Sequence, residues 1–254
     1  MLGVGVDRIT AEGLHAELAR LVRRRGGIVL NANAHCLNLC YEDEGLRDLF
    51  AAADVVFCDG AGVRLAARML GDQLPERITY ADWLPRLAAL AEERRFSLFF
   101  LGARPGVAGE AARRLRVSYP TLRTAGVRHG YFDHRAGSPE NRSVVAEINA
   151  ARPDILLVGL GMPLQERWLM ENLNGLDVGV ALTGGAVFDY ASGRLRRGPR
   201  LLTGNGLEWL ARLIVEPRRL WRRYLLGNPL FLARVIGQRW RKGATAGKKV
   251  RNVT

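Results

Sequence analysis

The sequence predicts an α/β protein: a Rossmann-like three-layer domain around a parallel sheet, followed by a basic helical appendage. Three observations predict it. Short apolar, β-branched runs alternate with longer amphipathic segments between Gly26 and Thr183, as repeated strand–helix units require. Glycines and polar residues gather just after those runs, where the loops of such sheets bind ligands. The charge is also split: residues 1–193 hold 22 Lys and Arg against 23 acids, whereas residues 194–254 hold 16 against two, Glu208 and Glu216. The net +13 of the 254-residue chain therefore resides at its end.

Strands are expected at 27–31 (GIVLN), 54–58 (DVVFC), 97–102 (SLFFLG), 122–127, 154–159 (DILLVG) and 178–182 (VGVAL), each rich in residues that pack well on a pleated face. Helical spacing runs over 62–70, 82–94, 106–117, 139–150 and 163–173, several opened by Pro or Asp. After Gly193 strand patterns stop. Arg-rich sequence interleaved with Trp, Leu and Tyr follows, and Pro217 and Pro229 should divide it into three short helices, because proline suits a first turn and breaks an interior. The expected organisation is a catalytic body over 1–193, an appendage over 194–242 and a flexible basic tail over 243–254.

Composition excludes several classes. No stretch reaches the ~20 apolar residues of a membrane-spanning helix, and residues 1–10 lack the layout of a secretory signal, so a cytoplasmic location is expected. Cys36, Cys40 and Cys58 form no even disulfide set and no zinc pattern, and buried reduced thiols are expected. His15, His35, His129 and His134 show no metal spacing and are assigned core or surface roles. No Asp-x-Asp triplet occurs, so no metal and no other cofactor is expected, and helix N-termini and arginines would have to neutralise a bound diphosphate.

Candidate chemistry lies after the strands. Asp59 follows DVVFC directly; as a lone residue it suits a helix N-cap, but with Asn31 and Asn33 on the neighbouring loop and Arg77 downstream it makes a base, two amides and a cation, a plausible sugar site. Gly159-x-Gly161 after a strand invites a dinucleotide reading, although Pro163 stands near where a third glycine belongs. The basic end fits an anionic membrane surface, since Trp209, Leu210, Leu213 and Ile214, then Leu220, Trp221, Tyr224 and Leu225, can line one side while Arg212, Arg219, Arg222 and Arg223 project toward another. RNA is the competing partner for that surface.

Eight segments then occur in an order that belongs to one family: Asn31-Ala32-Asn33; Asp59-Gly60-Ala61-Gly62-Val63; Leu74-Pro75-Glu76-Arg77-Ile78-Thr79; Leu101-Gly102-Ala103-Arg104-Pro105-Gly106; Gly130-Tyr131-Phe132; Gly159-Leu160-Gly161-Met162-Pro163-Leu164-Gln165-Glu166; Thr183-Gly184-Gly185-Ala186-Val187-Phe188-Asp189; and Gly206-Leu207-Glu208-Trp209 through Glu216-Pro217-Arg218-Arg219 to Arg222-Arg223-Tyr224. Over roughly residues 3–240 the chain resembles the WecG/TagA/CpsF glycosyltransferases. The resemblance implies inverting, metal-independent transfer of a sugar (N-acetylmannosamine, its uronic acid or glucose) from a UDP-sugar to an undecaprenyl-diphosphate-linked saccharide at the inner face of the cell membrane, in cell-surface polysaccharide synthesis. It implies Asp59 as catalytic base, Asn31 and Asn33 as polar contacts and Arg77 as a phosphate contact. Gly102, Gly159, Gly161, Gln165, Glu166, Gly184, Gly185 and Asp189 would meet the nucleotide sugar, and Arg212, Arg219 and Arg222 the diphosphate and membrane. No nucleic-acid partner is expected under this reading, and a homo-oligomer is left open. The residues by themselves leave two alternatives, an NAD(P)-dependent oxidoreductase and a basic RNA-binding protein.

Overall fold

A computed structural model describes residues 1–195, 198–199 and 206–249, with side chains described through residue 241. All six expected strands form: β1 Gly27–Ala32, β2 Val55–Cys58, β3 Ser97–Gly102, β4 Arg123–Arg128, β5 Ile155–Gly159 and β6 Val180–Thr183. They pair in parallel in the order β2-β1-β6-β5-β3-β4. Asp54 and Asp154, read as first strand residues, stand one position before β2 and β5. Aspartate is poor in a strand, and each side chain instead accepts the opening N–H of a neighbouring strand, Ile28 at 2.9 Å and Ser97 at 2.7 Å.

Alternation along the strands divides the core in two. Ile28, Leu30 and Ala32 of β1, with Phe99 and Leu101 of β3, face one buried cluster; Val29, Leu98 and Phe100 face the other. Helices cover both faces, which makes three layers. The expected helices appear as α4 Ala61–Met69, α5 Tyr80–Arg94, α6 Val107–Ser118, α7 Pro139–Ala151 and α8 Leu164–Asn172. The pattern also contains α1 Ala11–Arg24, α2 Ala34–Glu42, α3 Glu44–Ala52 and the short α9 Val187–Ala191. The first three carry side-chain caps that are visible in the sequence: Thr10 accepts from Gly13 N–H, Asn33 from Cys36 N–H and Asp43 from Leu46 N–H.

The appendage departs from its expected form. It comprises α10 Glu208–Val215, α11 Pro217–Trp221, a π-helical turn over Arg222–Leu226 and α12 Gly227–Lys249. Pro217 opens a helix as expected, but Pro229 does not divide one: it lies in the first turn of α12, and the wide turn occupies the place where its ring would meet the Leu225 carbonyl of a regular helix. Helix α12 also runs through residues 243–249, which were expected to be tail; residues 196–197, 200–205 and 250–254 lie outside the described residues.

This segment is built into the body. Phe231 and Val235 are fully buried in the same cluster as Leu30 and Leu37. Asn38 of α2 donates to the Gly227 carbonyl (2.8 Å), Arg234 donates to the Asn38 carbonyl and side chain (3.1 Å each) and pairs with Glu42, and Gln238 accepts from Leu2 N–H (2.9 Å). Among the described residues, no helix is long and apolar enough to cross a membrane.

Candidate active site at the carboxyl edge of the sheet

Asp59 emerges from the end of β2 beside the end of β1, and its backbone N–H is held by the Ala32 carbonyl at 2.8 Å. It does not cap α4, whose N-cap is Gly60 with no side-chain hydrogen bond. Instead its Oδ2 accepts from Asn31 Nδ2 at 2.8 Å, and Asn31 Oδ1 accepts from the buried Thr183 hydroxyl at 3.2 Å. A relay from β6 through β1 to β2 therefore orients one carboxylate. Burial, reinforced by the charge of Glu208, pushes the Asp59 carboxyl up to about 6, against the pull of the Asn31 hydrogen bond and of Arg212 and Arg223. A carboxylate with raised proton affinity that is still ionised near neutrality is suited to general-base work.

Asp59 borders two cavities. The larger, about 1230 Å³, lies over the ends of β1, β5 and β6 and is bounded by Asn31, Asn33, Gly159, Gly161, Gln165, Gly184, Gly185 and Asp189, with Arg104, Tyr131 and His134 from the β3 and β4 loops. Arg212, Arg219, Arg222 and Arg223 close it from the appendage side. The smaller, about 430 Å³, is bounded by Arg77, Thr79, Glu208, Trp209, Tyr224 and Phe231. Asn33, His35, Arg212 and Arg223 belong to both walls.

Of the expected residues, then, most converge, and some do so indirectly. Asn33 spends its amide oxygen on capping α2. Arg77 stands in the smaller cavity, 3.9 Å from Glu208. Gln165 ties two loops together, its Oε1 accepting from Gly161 N–H (3.2 Å) and Gly185 N–H (2.9 Å), so those amides are already occupied. Two expected contacts lie outside both cavities. A Cβ on Gly102 would stand 2.3 Å from the Gly159 carbonyl, so this glycine allows β3 and β5 to approach closely, and its role is packing. Glu166 is buried behind Gln165 and accepts from its Nε2 at 2.8 Å, which makes it a support for Gln165 and not a ligand contact. Burial pushes Glu166 up to about 7, and its Oε2 has no hydrogen-bond partner among the described residues.

Arg223, read in the sequence only as part of the appendage's basic face and of the family motif, and His35 were not among the expected site residues. Arg223 is partly buried between the two cavities, and its Nε, like that of Arg212, is buried without an acceptor among the described residues. Two unanswered guanidinium donors at one site are a place for an anion, because buried polar atoms ordinarily find partners. Arg219, by contrast, is exposed and paired with Glu216 at 2.7 Å, and exposed Arg222 stacks on Trp221 at 5.2 Å. His35 was assigned a core or surface role; it borders both cavities, and burial together with the Arg223 charge lowers it to about 4, so it is neutral near pH 7. The three cysteines are free and buried, as expected. Among the described residues, no three or more His, Cys, Asp or Glu side chains gather in a way that could hold a metal ion.

A sequence profile of the glycosyl transferase WecG/TagA/CpsF family matches residues 1–245. The chain belongs to that family. As a WecG/TagA/CpsF glycosyltransferase it is a sugar-transferring enzyme, which sets aside the dinucleotide and RNA readings. Among its relatives, the N-acetylglucosaminyldiphosphoundecaprenol N-acetyl-beta-D-mannosaminyltransferase of Bacillus spizizenii is 29% identical over 230 residues, covering 91% of this chain and 86% of the relative. Proteins of the same name from Bacillus subtilis (28% identical; 79% and 75% covered) and Staphylococcus aureus NCTC 8325 (28%; 82% and 78%) are similarly related.

Proposed function

We propose that this glycosyltransferase moves N-acetylmannosamine from its UDP derivative to the N-acetylglucosamine of an undecaprenyl-diphosphate-linked acceptor, with inversion and without a metal, while resting on the inner membrane surface. The observation that carries this reading is the meeting of Asp59 with the unanswered Nε atoms of Arg212 and Arg223 at one cavity. The names of the relatives supply the sugar and the acceptor.

In the reaction, Asp59 takes the proton of the acceptor hydroxyl as its oxygen attacks the anomeric carbon. The bond to the UDP oxygen breaks on the opposite face, and UDP leaves with the electron pair. Arg212 and Arg223 meet the charge that develops there, and such preorganised donors are worth several kcal/mol in a water-poor site. The larger cavity suits a donor of this size; the smaller one, with Trp209, Tyr224 and Phe231 in its wall, suits the acceptor end. Exposed Trp221, Leu225, Leu226 and Leu230 around the arginines support docking on an anionic bilayer.

The deciding experiment supplies UDP-N-acetylmannosamine and a short-chain polyprenyl-diphosphate N-acetylglucosamine, in EDTA, and examines the product by NMR. A β-linked disaccharide supports the reading; no transfer from this donor, or transfer only with added divalent metal, overturns the corresponding part. The Trp221→Glu/Leu225→Glu variant should lose sedimentation with anionic vesicles, and undiminished sedimentation removes the docking surface.

A further inference from the structure

Glu208 opens α10, and so far it has entered only as a charge that acts on Asp59. Its carboxylate is only one-fifth exposed and lies 3.9 Å from the Arg77 guanidinium, in the wall of the smaller cavity that Asp59 shares. The two partners come from different parts of the chain: Arg77 precedes α5 of the body, and Glu208 rides on the appendage. The packing of α10 thus places a carboxylate beside the cation of the smaller cavity.

We propose that Glu208 is a positioning residue for the transfer reaction: it fixes Arg77 and sets the charge environment of Asp59 from the wall of the smaller cavity that both border. The inference rests on Asp59 acting as the base. The groups that act on Asp59 are Asn31 from β1, Glu208 and Arg212 from α10, and Arg223 from the π turn; the adjacent Cys58 thiol of β2 and Tyr80 of α5, themselves pushed upward by burial and by the Asp59 charge, are neutral near pH 7. His35 of α2 and Arg77 border the smaller cavity with it. Of these, Glu208 is the carboxylate, and it raises the proton affinity of Asp59, while the arginines and Asn31 lower it. Without Glu208, Asp59 would hold a proton less firmly and be a weaker base, even though more of it would be ionised at acid pH.

The test compares the full chain with its Glu208→Gln and Glu208→Asp variants, following the Asp59 carboxyl by carbon NMR titration in the absence of substrates. In E208Q the midpoint should fall toward the ordinary carboxylate range, and in E208D it should stay near that of the unaltered protein. In turnover assays the acid limb of kcat should move to lower pH in E208Q, with kcat at pH 8 reduced by about 3- to 30-fold and KM for the UDP-sugar within about twofold, because a weaker base is a slower one. An unmoved Asp59 midpoint in folded E208Q overturns the proposal. Loss of folding in both variants makes Glu208 structural and overturns it as well. The titration needs no catalysis, so it stands apart from the base assignment, which fails separately if Asp59→Asn keeps full turnover.

Discussion

The two edges of the sheet use the same residue type in opposite ways. At the amino edge, Asp7 accepts from Val56 N–H at 2.7 Å, Asp54 accepts from Ile28 N–H and from Arg24 (2.7 Å), and Asp154 accepts from both Ser97 N–H and its hydroxyl (2.9 Å). Each fixes the start of a strand and has donors on hand. At the carboxyl edge, Asp59 receives one side-chain donor, and Glu166 keeps an oxygen with none. Donors are spent where the fold needs register and withheld where a carboxylate must hold a proton. That contrast implies that the carboxyl edge costs stability, as functional sites commonly do.

The sharpest break in the contrast is Asp59→Asn. Turnover should fall by about 10²–10⁴-fold, the usual contribution of a general base. Folding should move the other way. A carboxyl raised from 3.8 to about 6 in the folded state contributes stability that is fully present below about pH 4 and lost as pH rises through about 6. At pH 8 the native protein therefore carries a cost on the order of 1–3 kcal/mol that the amide removes, while Asn31 can still donate to the retained carbonyl oxygen. A higher Tm at pH 8 with turnover abolished is expected; an unchanged or lower Tm would mean that Asp59 is not strained. In the unaltered enzyme, kcat should rise with pH through about 6 and level off above it, and a pH-independent kcat down to 5 would contradict a titrating base.

The opposite edge should answer in the opposite sense. Asp154→Ala leaves Ser97 N–H and its hydroxyl without their acceptor, and a stability loss of about 2–3 kcal/mol is expected in chemical denaturation, with kcat of the folded protein within about twofold. A catalytic defect without destabilisation would erase the distinction between the edges.

The arginines sharpen the picture within the carboxyl edge. Arg223→Gln removes a partly buried cation whose Nε has no acceptor among the described residues and should reduce kcat by about 10²–10³-fold, the usual cost of losing one preorganised donor. Arg222→Gln changes an exposed residue stacked on Trp221 and should cost less than about fivefold in detergent-solubilised assays. Equal effects would mean that burial does not rank them.

That ranking was not legible in the sequence, for a physical reason. In a regular helix, spacing from Pro217 assigns each arginine a face, but the π turn over Arg222–Leu226 alters the phase, and spacing alone does not tell which of two adjacent arginines turns inward. The strands were legible because apolar and β-branched runs such as DILLVG have few other uses, whereas Asp59 stood out only in company with Asn31, Asn33 and Arg77, because alone an acid at a strand end also suits a helix N-cap. That Glu166 and Gly102 lie outside both cavities was not legible because a motif records position along the chain, whereas depth behind Gln165 and contact with Gly159 are tertiary facts. The docking of Phe231 and Val235 was hidden for the same reason: the sequence displays an amphipathic helix but not what its apolar face covers.

A modest effect reaches Asp59 indirectly, through Asn31. The buried Thr183 hydroxyl donates to Asn31 Oδ1, and that bond sets which end of the amide faces Asp59. Thr183→Val keeps nearly the same shape and removes the donor, leaving Asn31 Oδ1 short of a partner and its Nδ2 bond to Asp59 as its remaining orienting contact. The net loss should be about 1 kcal/mol in stability, the usual worth of one hydrogen bond. Turnover should fall about 2- to 10-fold, because a carboxylate misaligned by part of an ångström attacks its proton less well. The acid limb of kcat should also move upward, since a weaker Asn31 bond no longer favours the ionised form as strongly. A stability loss with an unmoved acid limb would show that Thr183 serves only the fold, and the relay from β6 would then end at Asn31.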